Sequence, residues 1–303
     1  MKFTKLCEGL EFPEGPIAMA DGSVILVEIK RQTLTRVWPD GRKEVIAELP
    51  GGPNGAAIGP DGAVYVCNNG GFNWYEHDGL DLPHGAPEGY TGGSIQRVDL
   101  DTGAVTTLYS ECDGAPLRGP NDLVFDAAGG FYFTDLGKST RTHMDHGAFY
   151  YAQPDGSHIH RVYGPMITTN GIGLGPQDKS VYVAETRTGR VWGFDITAPG
   201  QIEKPKGLVP GRLLTTLPDY QLLDSLAMQA DGRVCVATLI SGGITIVGED
   251  HSTEFIKVPD DPYVTNICFG GADMRDAWIT ASGTGTLYHC RWPHAGLKLH
   301  FNG

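Results

Sequence analysis

A short pattern recurs six times along this chain, and few folds can accommodate it. Each copy runs from a polar residue to a small or turn residue, then about three mostly apolar residues, a turn around Asp or Gly, and a second apolar run. The copies begin at Glu14-Gly15, Asn54-Gly55, Asn121-Asp122, Asn170-Gly171, Asp224-Ser225 and Asn266-Ile267. In four of them an Asp follows seven residues after the leading polar residue (Asp21, Asp61, Asp231, Asp273), and the other two shift the turn to 127–129 and 177–178. Between successive copies there is room for four short strands, a to d. Segments such as SVILVEI, AVYVCN, GFYFTDL, SVYVAE and RVCVATL are rich in Val, Ile, Tyr, Phe and Thr, and turn residues separate them. Almost nothing has helical period, so the class is all-β. Six four-stranded antiparallel units in sequence read as a six-bladed β-propeller around a central channel.

The first copy places its strands at 16–20, 24–28, 33–38 and 43–48, and the later innermost strands fall at 55–59, 122–126, 171–175, 225–229 and 267–270. In the fourth copy the outermost strand is expected at 208–214. The start of the chain aligns with the d-strand and linker KEVIAELPGGPNG, so residues 2–8 are expected to lend an outer strand to the last blade. The tail GLKLHF (296–301) either flanks that strand or competes for its place. No composition break divides the chain, and 1–303 reads as one domain.

Strands a to d alternate in direction. The d–a and b–c links therefore emerge on one face, and the a–b and c–d links on the other. The six leading polar residues lie on d–a links and gather at the channel mouth. Two long b–c inserts, 68–92 and 135–146, are expected over that mouth, and a third insert, 197–207, on the opposite face. Long loops of this kind are commonly functional, and Phe72, Trp74, Tyr75 and Tyr90 suit a packed lid.

A net charge of −13 disfavours nucleic acid or an anionic membrane as partner and suits a cation or a neutral small molecule. There is no apolar run long enough for a membrane span or, behind Met1-Lys2-Phe3-Thr4, for a signal peptide. The six cysteines are scattered and none forms C-x-x-C, which reads as reduced thiols in a cytoplasmic protein. Oligomeric state is left open.

Around the axis stand Glu14, Asn54, Asn121, Asn170, Asp224 and Asn266: two carboxylates, four amides, no His and no Cys. Oxygen donors of mixed charge suit a hard divalent ion such as Ca²⁺, Mg²⁺ or Mn²⁺. Asn-Gly and Asp-Ser pairs also make ordinary turns, but Glu14 is not a turn former, and six copies focused on one axis favour the metal. Other motifs carry less. Asp101-Thr102-Gly103 is a hairpin turn, Gly171, Gly173 and Gly175 open no helix, His143 with His146 and His158 with His160 sit away from the axis, and no serine lies in a G-x-S-x-G elbow.

EFPEGP (11–16), RGPND (118–122), TTNGIGLGP (168–176) and LLDSLAMQADG (222–232) resemble the senescence marker protein (regucalcin)/gluconolactonase family of six-bladed propellers, over essentially the whole chain. The resemblance implies one divalent cation in the channel, held by Glu14, Asn170 and Asp224 with Asn121 as a further ligand. Ca²⁺ leads, with Mg²⁺, Mn²⁺, Zn²⁺ or Fe²⁺ as alternatives. It implies lactone hydrolysis, with Asp224 as base or water-orienter and the metal polarising the carbonyl. Arg118 stands three residues before Asn121, where the regucalcin branch has an Arg two before. It is a candidate substrate contact together with Asn54, Trp74, Tyr75, Tyr220 and Asn266. The expected activity is thus a metal-dependent lactonase opening a small, sugar-derived or similar lactone. The alternatives are phosphotriester or fluorophosphate hydrolysis at the same site, and a non-enzymatic scaffold with a structural ion.

Overall fold

Each apolar run pairs antiparallel with the next, because the intervening Gly, Asp and Asn residues turn the chain back within a few residues. The computed structural model describes residues 1–205 and 207–301. Pairing builds six four-stranded blades. Blade 1 is Pro13–Ala18, Val24–Glu28, Thr33–Val37 and Lys43–Glu48. The inner strands of blades 2 to 5 are Pro53–Ile58, Pro120–Phe125, Thr169–Leu174 and Leu222–Met228. Blade 6 is Val264–Gly270, Asp276–Ala281 and Thr286–Arg291, and its outer strand is Phe3–Cys7 from the other end of the chain. Phe3 pairs with Cys290 and Lys5 with Tyr288, which closes the ring as expected. The inner strands touch in ring order, the sixth against the first.

The inner strands begin about three residues earlier than the apolar pattern suggested, at 13 rather than 16 in blade 1. The reason is a register break in every one of them. It falls between Glu14 and Ile17, Pro53 and Ala56, Pro120 and Leu123, Thr169 and Ile172, Leu223 and Leu226, and Val264 and Asn266. A bulge of this kind interrupts the period of two and re-aims a side chain. Here it turns the polar residue of each repeat away from the sheet face and toward the axis. In blade 1 the bulge uses Gly15 at φ +53°, where a Cβ would stand 2.6 Å from the carbonyl oxygen of Asn54. No larger residue fits so close to the neighbouring backbone.

The core lies between blades rather than within them. Six buried clusters fill the six blade interfaces. One example is Ile17, Val27 and Leu34 against Ile58, Val64 and Val66 between blades 1 and 2, and another is Cys7, Val24 and Leu26 against Trp278 and Leu287 between blades 1 and 6. All six cysteines are free. No helix is long and apolar enough to cross a membrane.

Three segments depart from expectation. The tail neither flanks nor competes for the outer strand of blade 6. Instead it crosses the face opposite the polar residues: the Leu297 N–H bonds the Met228 carbonyl at 2.8 Å, and His300 pairs with Asp178 at 2.9 Å. Phe301 then meets Phe125 edge-on at 5.9 Å between centroids. Leu297 and Leu299 close the channel from below, against Ile17, Val124, Ile172 and Ile267. The outer strand of blade 4 is Arg212–Thr216 rather than 208–214. The insert at 197–207 is spent partly on extending strand c to Ala198 and returning through Gln201–Ile202, and its residue 206 lies outside the described residues. The 68–92 insert contains its own hairpin, Asn73–His77 with Leu80–His84.

Candidate active site

The bulges put Glu14, Asn54, Asn121, Asn170 and Asn266 in buried positions at the start of the inner strands, and leave Asp224 partly exposed. Glu14 is held from two sides. Its Oε2 accepts the Asn266 amide at 2.7 Å and the Gly15 N–H, while its Oε1 is buried without any partner. Asn266 in turn accepts the Ile267 N–H on its Oδ1 at 2.8 Å, so both ends of its amide are used in orienting Glu14. Asn170 donates to Thr186 Oγ1 at 3.0 Å, and its Oδ1 has no partner; nor has Oδ1 of Asn121.

Three buried oxygens, all acceptors, are therefore left without donors on the inner strands of blades 1, 3 and 4. An unpaired buried polar atom costs about 1–3 kcal/mol, and a cation satisfies several converging acceptors at once. Among the described residues no three His, Cys, Asp or Glu side chains form a metal-holding group. A cation here would depend on the amide oxygens, which is the donor set of a hard ion.

The electrostatics point the same way. Burial raises the pKa of Glu14 well above the usual carboxylate range, and the nearby charges of Asp224 and Asp122 push it further in the same direction. Burial carries Asp224 to about 7, the Asn170 amide opposing it and Asp122 adding to it. Asp122 is likewise pushed by burial to about 7, although the N–H groups of Leu123 at 2.9 Å and Ile172 at 3.3 Å bond its two oxygens and pull it down. These three acids oppose one another's charged forms, and a divalent cation would turn that repulsion into binding.

The candidate substrate contacts are spread around the mouth. Trp74 lies on the 73–84 hairpin, its ring edge-on to Phe12 at 5.1 Å and to Phe72 at 6.2 Å. Tyr75, on the same hairpin, is 50% exposed and Tyr220 67%, the values expected of rim residues rather than core. Burial raises the pKa of Tyr263, with Tyr75 and Tyr220 close enough to add to the shift. The Arg118 side chain is exposed, while its backbone is fixed. Its N–H bonds Asp135 Oδ2 at 2.7 Å, and its carbonyl accepts the Tyr90 hydroxyl. His158 and His160 have ring nitrogens 3.2 Å apart at the start of the outer strand of blade 3, with His160 also bonded to Gly200.

Four residues here escaped the sequence reading. Asp122 follows Asn121 and reads as half of a turn pair, yet it braces the inner strands of blades 3 and 4. Asp135, at the end of a strand, collects the N–H groups of Arg118, Gly119 and Gly137 at 2.7 to 2.9 Å. Tyr263, on the link before the inner strand of blade 6, is half-buried. Lys138 is a lysine in a polar loop that turns out to be buried; burial lowers its pKa to about 7, and the Asp135 carboxylate works against that shift.

Comparison with known proteins adds to this geometry. Residues 12–283 match the model of a family described as the SMP-30/Gluconolactonase/LRE-like region. Lactonase drp35 of Staphylococcus saprophyticus is 29% identical over 252 residues, which is 81% of this chain and 68% of that protein. A gluconolactonase of Zymomonas mobilis is 22% identical over 218 residues, 64% of this chain but 55% of that protein. Among solved structures, a calcium-binding regucalcin from Agrobacterium tumefaciens superposes with a TM-score of 0.74 at 16% identity, covering 98% of each chain. A gluconolactonase from Xanthomonas campestris gives 0.74 at 20% identity, covering 96% of this chain and 89% of that one. At these identities the superpositions establish the common propeller.

Proposed function

Because this chain belongs to the SMP-30/gluconolactonase/LRE-like family, we propose that it is a metal-dependent hydrolase that opens a small lactone. The observation that carries the reading is the set of three partnerless buried oxygens, Glu14 Oε1, Asn121 Oδ1 and Asn170 Oδ1, beside the partly exposed Asp224 carboxylate. The names of its relatives, lactonase and gluconolactonase, supply the substrate class.

Glu14, Asn121, Asn170 and Asp224 would hold one divalent cation, Ca²⁺ before Mg²⁺ or Mn²⁺. Four protein oxygens leave coordination positions for water and for one substrate oxygen, since Ca²⁺ takes about six to eight ligands. Bound there, the cation would polarise the lactone carbonyl and offset the charge that develops on its oxygen. Asp224 is the one member of the set that is partly exposed. It takes a proton from the attacking water as the water oxygen bonds to the carbonyl carbon, and returns it as the ring C–O bond breaks. Asn266 and Gly15 keep Glu14 aimed at the axis. Arg118 offers an exposed guanidinium to a substrate oxygen, and Asn54, Trp74, Tyr75 and Tyr220 form the walls.

The test is hydrolysis of a lactone panel by the metal-loaded protein, the chelated protein and Asp224→Asn. Turnover should fall at least about a hundredfold on chelation and in the variant. Equal rates in all three would end the metal mechanism. Turnover of a phosphotriester but no lactone would move the chemistry to phosphorus at the same site.

A further inference from the structure

The two long b–c inserts are not independent loops. Lys138, from the insert of blade 3, runs into the insert of blade 2 and is only 5% exposed. Its ammonium donates to Asn69 Oδ1 at 3.0 Å and to the Gly71 carbonyl at 2.7 Å. The Phe72 ring lies 3.8 Å from its Nζ, with the Tyr90 ring at 5.6 Å. Two oxygens and an aromatic face take up the three donors of the ammonium. A lysine in a solvated loop needs none of this, and burying one is costly unless the site is built to receive it.

Both ends of the contact lead to the candidate site. Asn69 donates its backbone N–H to the Gly52 carbonyl at 2.8 Å, two residues before Asn54. A Cβ at Gly52 would meet Asn69 Oδ1 at 2.3 Å, so the two segments are in close contact. On the other side, Asp135 clasps the N–H groups of Arg118 and Gly119, and the Leu136 N–H bonds the Gly119 carbonyl at 2.9 Å, two residues before Asn121. The 73–84 hairpin then continues across the mouth. Trp74 packs on Phe12, two residues before Glu14; Asp81 pairs with Lys30 at 2.6 Å, and its N–H reaches the Gly283 carbonyl of blade 6 at 3.3 Å. The inserts thus rest on the links that carry Glu14, Asn54 and Asn121. The rim tyrosines Tyr220 and Tyr263 stand on the links of blades 5 and 6.

We propose that Lys138 is a positioning residue: it latches the two inserts into one fixed roof, braced on the links before Asn54 and Asn121, and so sets the pocket into which substrate binds. It acts through Asn69, Gly71 and Phe72 and touches no reacting atom. Its effect on turnover rests on the lactonase reading; its effect on the roof does not. The contact between the two inserts is thus centred on the buried Lys138 ammonium.

The test uses Lys138→Met, which keeps the stem and removes the donors, and Phe72→Leu, which keeps the acceptors and removes the aromatic face. Hydrogen exchange is followed at Asn69, Gly119 and Leu136, whose bonds tie the roof to the links, and at inner-strand amides as a reference. In Lys138→Met, exchange at these three positions should rise about tenfold or more while the inner strands keep wild-type rates. Phe72→Leu should move them in the same direction by less. In kinetics on the lactone panel, KM should rise about threefold or more with kcat held within about twofold. Wild-type exchange in Lys138→Met overturns the latch. Faster exchange with unchanged KM overturns the positioning role and leaves a loop contact. If the wild-type protein turns over no lactone, the lactonase reading fails, and the exchange arm still decides the latch.

Discussion

Asn266 spends both ends of its amide on its neighbours: Nδ2 on Glu14 and Oδ1 on the Ile267 N–H. Such outer contacts hold a ligand's orientation and commonly govern about 10–100-fold in metal affinity. Asn266→Ala should therefore weaken terbium or calcium binding by about tenfold, read by sensitised luminescence, with the fold intact; unchanged affinity would remove Asn266 from the site. Asp122 has the opposite character. Its two oxygens serve the N–H groups of Leu123 and Ile172, both in the core of the ring. Asp122→Ala leaves two buried donors unpaired and should cost about 2–4 kcal/mol in urea unfolding, while Asp122→Asn, which keeps one acceptor, should cost less. A loss under about 0.5 kcal/mol in the Ala variant would mean that the backbone finds other partners. These two residues also mark the limit of reading by residue type. Glu14 stood out because Glu is a poor turn former, and Asp224 because it was the other charge among six equivalents. Asp122 did not, since Asn-Asp before a strand looks like a turn. Nothing local distinguishes Lys138 from a solvated lysine, because its partners lie about seventy residues away in sequence, and only the packing of two loops brings them together.

At the scale of the strand, the blades were legible and their inner edges were not. Apolar runs bounded by Asp-Gly turns locate the b and c strands of blade 1 closely, at Val24–Glu28 and Thr33–Val37. The inner strands carry bulges, and a bulge erases the alternation that sequence reading depends on. The site and the misplaced boundary therefore share one cause. Gly15 shows how tightly the bulge is specified. With φ at +53° and a Cβ position 2.6 Å from the Asn54 carbonyl oxygen and 2.7 Å from the Ala56 nitrogen, Gly15→Ala should cost about 1–3 kcal/mol and weaken cation binding along with it, since Glu14 shares the bulge. Loss of stability without loss of affinity would separate the bulge from the aim of Glu14. The tail was misread for a different reason. Leu297, Leu299 and Phe301 alternate as a strand would, but the alternation serves to drop side chains under the channel instead of joining a blade.

For the whole molecule, the six interfaces supply the apolar burial and the axis collects the charge. Glu14, Asp122 and Asp224 oppose one another's charged forms, so cation binding should be visible as stability. At a hundred times its dissociation constant, Ca²⁺ should add about 2.7 kcal/mol and raise the melting temperature measured by calorimetry. A melting temperature indifferent to Ca²⁺ and to chelator would speak against an axial ion altogether. The ring that encloses this site is joined at one seam, where residues 3–7 complete the blade begun by residues 264–291. During synthesis that small strand is made long before its partner, residues 286–291, exists. Until then the nascent ring has two raw edges, one on the first blade and one on the last to emerge. A chain that stops before residue 286 lacks the partner of residues 3–7 and leaves that seam open. The seam therefore makes closure of the ring depend on two segments far apart in sequence, residues 3–7 and 286–291.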